Sequence, residues 1–182
     1  MSIKTFEDVA VEVIDLDVQS EASLHHNLYG DKPFLYRPED FAYSYYSTLF
    51  ITGRCIYPQK MKDDTFIFRI IGDELYRGRL SAVLDDFHKR DEYGSRIYKK
   101  YRGEDYPVMS PPPKGVGTYE KVRGESKWQA NLWMGKDFVR NIMTMITVKE
   151  QLYIYMNKYT DKRTHWISEF SVTSKNPLDE LI

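Results

Sequence analysis

A single cysteine, Cys55, stands in 182 residues. One thiol forms no internal disulfide, so nothing here resembles a disulfide-stapled extracellular scaffold. No run reaches the roughly 18 apolar residues of a membrane-spanning helix. The N-terminus, MSIKTFEDVAVEVIDLD, lacks the basic stretch followed by an apolar run that marks a signal peptide. The expected location is therefore the cytoplasm, with no membrane partner. Net charge is also scarce. At -1 overall it excludes a chain built throughout to hold nucleic acid or an anionic surface. There is no low-complexity segment and no repeat beyond a three-residue echo. Gly115-Val116-Gly117 lacks the third glycine and following helix of a dinucleotide fingerprint, and the Lys-Ser/Thr of a phosphate loop. No cofactor and no metal site is expected.

What is present is aromatic. Aromatic residues make up 15% of the chain, and Tyr alone supplies 15 positions. Tyr combines contact area with a hydroxyl and few rotatable bonds, which suits half-buried strands and interfaces alike. The length fits a single domain over 1–182, long enough to bury a substantial core. Charge is unevenly spread. Residues 1–40 carry 3 basic and 9 acidic side chains, whereas residues 87–127 carry 10 and 6. An acidic start and a basic middle suit partners of opposite sign.

Alternation dominates the pattern. Val9, Val11 and Val13 share one phase, which then shifts to Ile14, Leu16 and Val18; a shift within a strand predicts a bulge or a change of sheet. Residues 20–40, with Gly30, Pro33 and Pro38, read as a loop. Tyr43 to Tyr57 reads as one long strand or two short ones, interrupted at Gly53. Pro58 to Asp64 reads as a polar turn and Thr65 to Ile71 as a strand. Gly72-Asp73-Glu74 would turn the chain into a hairpin partner at Leu75 to Arg79. Leu80, Val83, Leu84 and Phe87 then recur at helical spacing.

Further strands are expected at Thr118 to Arg123 and at Trp128 to Met134, with Trp128, Ala130, Leu132 and Met134 on one face. A helix capped by Asp137 would bury Phe138, Val139, Ile142, Met143 and Ile146. Glu150 to Tyr159 would be a strand with Leu152, Ile154 and Met156 facing the core. It turns at Thr160-Asp161-Lys162 into Arg163 to Thr173, with Trp166, Phe170 and Val172 on one face and His165 on the other. Residues 176–182 read as a tail. The expected fold class is α+β: mainly antiparallel β-sheet, sandwich-like or strongly curved, with two short helices.

Residues 101–128 form the most unusual segment, a Pro/Gly-containing excursion. Arg102-Gly103-Glu104 and Arg123-Gly124-Glu125 flank Pro111-Pro112-Pro113-Lys114-Gly115-Val116-Gly117. Three prolines stiffen a chain that glycines then release. The echoed Arg-Gly-Glu has two readings: a pair of arginines aimed at anions, or two strand ends that turn at Gly. Around it, basic and aromatic residues interleave from 88 to 128. Tyr101, Arg102, Lys114, Tyr119, Arg123 and Trp128 are the candidate binding residues, suited to a protein surface or to phosphates and stacked bases.

Chemistry has weaker candidates. Asp105 followed by Glu125-Ser126-Lys127 resembles the metal-dependent nuclease pattern of the PD-(D/E)xK type over three residues. That resemblance implies carboxylates holding Mg²⁺ and a Lys orienting the attacking water. Here Gly124 precedes the Glu-x-Lys, where the pattern has an apolar strand. Asp85 and His88 share a helical face but two ligands make no site. His25, His26 and His165 have no evident nucleophile. Tyr43, Tyr45, Trp133, Tyr153 and Tyr155 form a candidate aromatic sheet face.

The function expected from these residues is non-enzymatic macromolecular recognition, with a protein partner engaged through the basic and aromatic loop. Nucleic-acid binding through 88–128 is the alternative and a nuclease the second alternative. Homo-oligomerisation is compatible with all three.

Overall fold

The structure, a computed structural model, describes residues 5–24, 43–73, 87–111 and 114–179. The chain divides into two compact units, one formed by Met1–Glu74 with Gly115–Ile182 and the other by Leu75–Lys114.

The first unit is a closed seven-stranded barrel. Its strands are β1 (Phe6–Leu24), β2 (Tyr43–Tyr57), β3 (Thr65–Asp73), β6 (Gly117–Lys121), β7 (Lys127–Met134), β8 (Tyr153–Asp161) and β9 (Thr164–Thr173). They neighbour one another in the order β1-β2-β3-β7-β6-β9-β8, and β8 closes back onto β1. All ladders are antiparallel except β3 with β7. The expected mainly antiparallel sheet is thus present, and of the two forms expected it is the strongly curved one, closed into a barrel, rather than the sandwich. Closure leaves no edge along most of its strands.

Period-two alternation fills the interior. Val9 and Val11, Leu49 and Ile51, Phe66, Phe68 and Ile70, Ala130 and Leu132, and Ile154 and Met156 are buried in one continuous core. Cys55 belongs to it. Burial pushes its thiol up to about 11, so it remains a neutral packing group.

Helix α1 (Lys136–Val148) follows β7 and lays Val139 and Ile142 into the same core, beside Gly72 at the end of β3. Its cap is Gly135, not Asp137; Asp137 sits in the first turn, pairing with Arg140 at 2.9 Å and favoured there by the helix dipole. Met143 is exposed, unlike the core position expected of it. The second expected helix, from Leu80, lies almost wholly outside the described residues, as do Leu75 to Arg79, His25, His26 and Asp85. No helix among the described residues is long and apolar enough to cross a membrane.

The phase shift in β1 is a bulge: Val13 opposes Gly53 and Asp15 opposes Thr52, leaving Ile14 extra. Other expectations need correction. Residues 20–24 continue β1 rather than beginning a loop; of the two alternatives for Tyr43 to Tyr57 the single long strand forms, without the expected interruption at Gly53. Gly72 and Asp73 extend β3 instead of turning it, and β3 then pairs in parallel with β7 after a crossover long enough to permit it. In β9, a bulge between the Asn157–Glu169 and Lys158–Ile167 pairs reverses the facing of the strand's first half. Ile167 becomes fully buried, and His165 rather than Trp166 turns toward the ring of Tyr119. Residues 176–179 are more than a tail: Pro177 is buried within a short 3-10 turn, Pro177–Asp179.

The barrel's seam lies between β6 and β9, which pair only at Gly117 with Ile167 and Thr118 with Trp166. Gly117 also opposes Leu132 of β7, and a Cβ there would meet the Asn131 carbonyl oxygen at 2.5 Å. Backbone cannot rotate away as a side-chain tip would. Gly117→Val is therefore expected to cost about 3 kcal/mol through overpacking. A urea midpoint equal to that of the unmutated chain would show that the seam has slack.

The second unit carries the hairpin β4 (Tyr98–Tyr101) and β5 (Glu104–Pro107), paired from Tyr98–Pro107 to Tyr101–Glu104. Residues 87–90 bond to its base through Lys89 N–H to Val108 and Ile97 N–H to Lys89. Residues 101–128, read as one excursion, are therefore shared between the units and contain β5 and β6.

Candidate functional site

Both Arg-Gly-Glu copies are β-turns. Arg102 and Gly103 form the two-residue loop of β4–β5 with φ of 53° and 90°, the double positive φ of a type I′ hairpin. In the second copy, Glu125 N–H donates to the Val122 carbonyl and Gly124 has φ 81°, which turns β6 into β7. The repeated triplet thus reflects two hairpins needing glycine at a left-handed position. Both arginines are exposed.

The hairpin's side chains form a small cluster. Tyr101 and Tyr106 meet edge to face with centroids 6.1 Å apart, and the Arg102 guanidinium lies 5.3 Å above the Tyr101 ring. Tyr106 donates its hydroxyl hydrogen to Glu104 at 2.9 Å. Asp105 is exposed on β5 of this unit. Glu125 and Lys127 belong to the barrel unit, the first in the β6–β7 turn and the second at the start of β7. Among the described residues no three His, Cys, Asp or Glu side chains converge as a metal ion requires. Lys114 is exposed at the end of the second unit.

Tyr119 and Trp128 come together inside one end of the barrel. Their rings lie 5.7 Å apart; Trp128 also stacks on Phe66 at 5.9 Å and donates its indole N–H to Asp64 at 2.8 Å. Between them reaches Lys158, only 5% exposed, with its ammonium 5.0 Å from the Tyr119 centroid and 5.7 Å from that of Trp128. Glu7, its cross-strand partner, accepts from it at 2.6 Å and also pairs with Lys60. Burial pushes the Glu7 carboxyl up. Hydrogen bonds and charge from Lys158 and Lys60 outweigh that and hold it below its usual range. Lys121 lies 5.5 Å over the outer side of this arrangement, on Trp128.

Lys158 and Glu7 were absent from the sequence candidates, although a signal existed. Lys158 continues the inward phase of Leu152, Ile154 and Met156 by one further step, and Glu7 does the same before Val9 and Val11.

Next to this cluster, where β6 and β9 part, is a cleft of about 320 Å³ lined by Thr118, Tyr119, Glu120, Asn131, Arg163 and His165. His165 Nδ1 is 2.9 Å from Thr160 Oγ1. The lining carries both charge signs, from Glu120 and Arg163. On the outer barrel face, Tyr155 donates to Asp8 at 2.7 Å, which raises its phenol to about 12, chiefly through that bond. Tyr153, Tyr155 and Trp133 are half-buried there, while the side chains of Tyr43 and Tyr45 lie outside the described part.

No protein-family model, curated protein or solved structure matches this chain.

Proposed function

We propose that the chain is a macromolecular recognition module that engages a protein partner through the β4–β5 hairpin. The observation carrying this reading is that every residue of both strands is exposed. Tyr98, Tyr101 and Tyr106 stay about half exposed, so they gain little for folding and remain open for contact. Tyr and Arg are the residue types that dominate binding hot spots. Arg102 adds to this. A non-glycine residue held at positive φ costs about 1 kcal/mol that Gly or Asn would avoid, and such local strain concentrates at functional positions. Tyr119 and Trp128 support the barrel, their ring contacts taken up internally.

Arg102→Gly is therefore expected to raise stability by up to about 1 kcal/mol, while Tyr101→Ala/Arg102→Gly loses a partner that the unmutated chain retains. Quantitative pull-down with both proteins, alongside thermal melts, checks this. Identical partner sets would overturn the assignment.

A second reading has its own support: Lys99, Lys100 and Arg102 interleave with the three hairpin tyrosines, the pairing of cations and stacking rings used on single-stranded nucleic acid. Labelled oligonucleotides would then bind at low salt and dissociate steeply as salt rises.

A further inference from the structure

Strand β1 outlasts one of its two partners. β8 pairs with it only from Phe6 to Glu12, and the Val13 N–H then closes onto the Leu152 carbonyl at 3.0 Å. From Asp15 to Leu24, β1 remains bonded to β2 on one side. Among the described residues no strand pairs with its other edge. The N–H of Val18 is taken by the side chain of Asp17 at 2.9 Å, in place of a neighbouring strand. An unpaired edge of this length is a template for strand addition.

Its side chains specify what would fit. Past the bulge the register with β2 is regular, so Asp15, Asp17 and Glu21 share one face, and Leu16 and Val18 the other. Leu16 packs partly against the barrel core; Val18 is 40% exposed and Ile14 63%. Residues 13–24 and 43–53 contain no Lys, Arg or His. Carboxylates along an open edge repel acidic strands and a second copy of the same edge, and they favour a basic one.

We propose that this edge accepts an extended basic segment of another protein by strand addition. Lys or Arg at every second position would face Asp15, Asp17 and Glu21, with small apolar residues between them facing Leu16 and Val18. The edge belongs to the barrel unit and the hairpin to the other, and the proposal does not rest on the hairpin's role.

The test is fluorescence anisotropy on the full chain with three labelled peptides. One alternates Lys with Val, one has Pro in place of alternate Val residues, and one has Glu in place of Lys. The first binds; the other two bind at least about tenfold more weakly, because ladder bonds and charge are each removed. Asp15→Asn/Asp17→Asn/Glu21→Gln weakens the first peptide by about tenfold. Val18→Pro, which removes the edge N–H at a position where edge strands tolerate proline, also loses it. Circular dichroism checks that each variant folds, and the carboxylate variant carries the test alone should Val18→Pro not fold. Equal binding of the Pro peptide overturns strand addition in favour of plain charge attraction. No binding of the Lys–Val peptide overturns the proposal outright. So does self-association, seen by sedimentation and abolished by the carboxylate variant, since the occupant would then be a second copy.

Discussion

Truncating Phe66 to Ala is expected to cost about 4 kcal/mol of stability, near the top of the range for a buried aromatic. Phe66 is fully buried and stands in the middle of a three-ring column. Phe68 lies 5.7 Å away at 15° and Trp128 5.9 Å away at 9°. Its strand is bonded on one side to β2 and on the other to β7. A closed barrel has little freedom to collapse around a void, because moving one strand stretches two ladders. The cavity therefore persists, and the cost is that of transfer plus cavity. Phe66→Leu, which keeps most of the volume, should lose less than about 2 kcal/mol. Urea unfolding of both variants, followed by tryptophan fluorescence, measures the difference. Equal losses would mean that the site repacks and that the column is not a determinant of the barrel.

Glu7→Ala is expected to cost about 3 kcal/mol, because it strands the Lys158 ammonium between two aromatic rings. Lys158 has only a few per cent of its side chain exposed, and its 2.6 Å bond to Glu7 is what compensates its burial among the rings of Tyr119 and Trp128. Replacing both partners, as Glu7→Leu/Lys158→Met, should recover most of the loss, since an apolar pair needs no desolvation to be offset. The pair also sets a pH dependence. Glu7 has its carboxyl held below the ordinary value of 4.5. A lowered folded value means that its contribution is present in full above 4.5 and is lost as pH falls through the lowered value. The stability gap between the unmutated chain and Glu7→Gln should accordingly be constant at neutral pH and shrink on acidification below 4.5. A gap independent of pH would show that the carboxylate's charge contributes nothing.

These effects depend on features of unequal visibility in the sequence. Alternation identified most of the barrel strands because each lies against a single core on one face. Val9 and Val11, Trp128 to Met134, and Leu152 to Met156 all fall on the expected sides. The β1 bulge was visible as a change of phase, since it moves the whole apolar set to the other face. The β9 bulge was not, because Trp166 and Ile167 are adjacent and both apolar, so either phase gave a plausible core. Gly72-Asp73 looked like a turn on composition alone; the small residue instead makes room for Val139 of α1. Tyr119 and Trp128 were read from sequence as part of a basic and aromatic stretch; only the tertiary structure shows that Lys158, from a distant strand, lies against both rings.

By itself the sequence did not show β5, which lies in the segment read as a loop excursion; it determined most of the barrel's strands and their inward phase, α1, the two glycine turns and the acidic character of β1. Each is a local property, set by side-chain alternation, by helical spacing or by the φ that only a few residues accept at low cost. Tertiary structure alone decided that the sheet closes, that β3 meets β7 in parallel, that Glu7 pairs with the buried Lys158, and that β1 overruns β8 to leave an edge that no strand among the described residues covers. These depend on which distant segments pair and in what register. Such pairings are selected by the summed burial and hydrogen bonding of the whole barrel, which no single stretch of chain encodes.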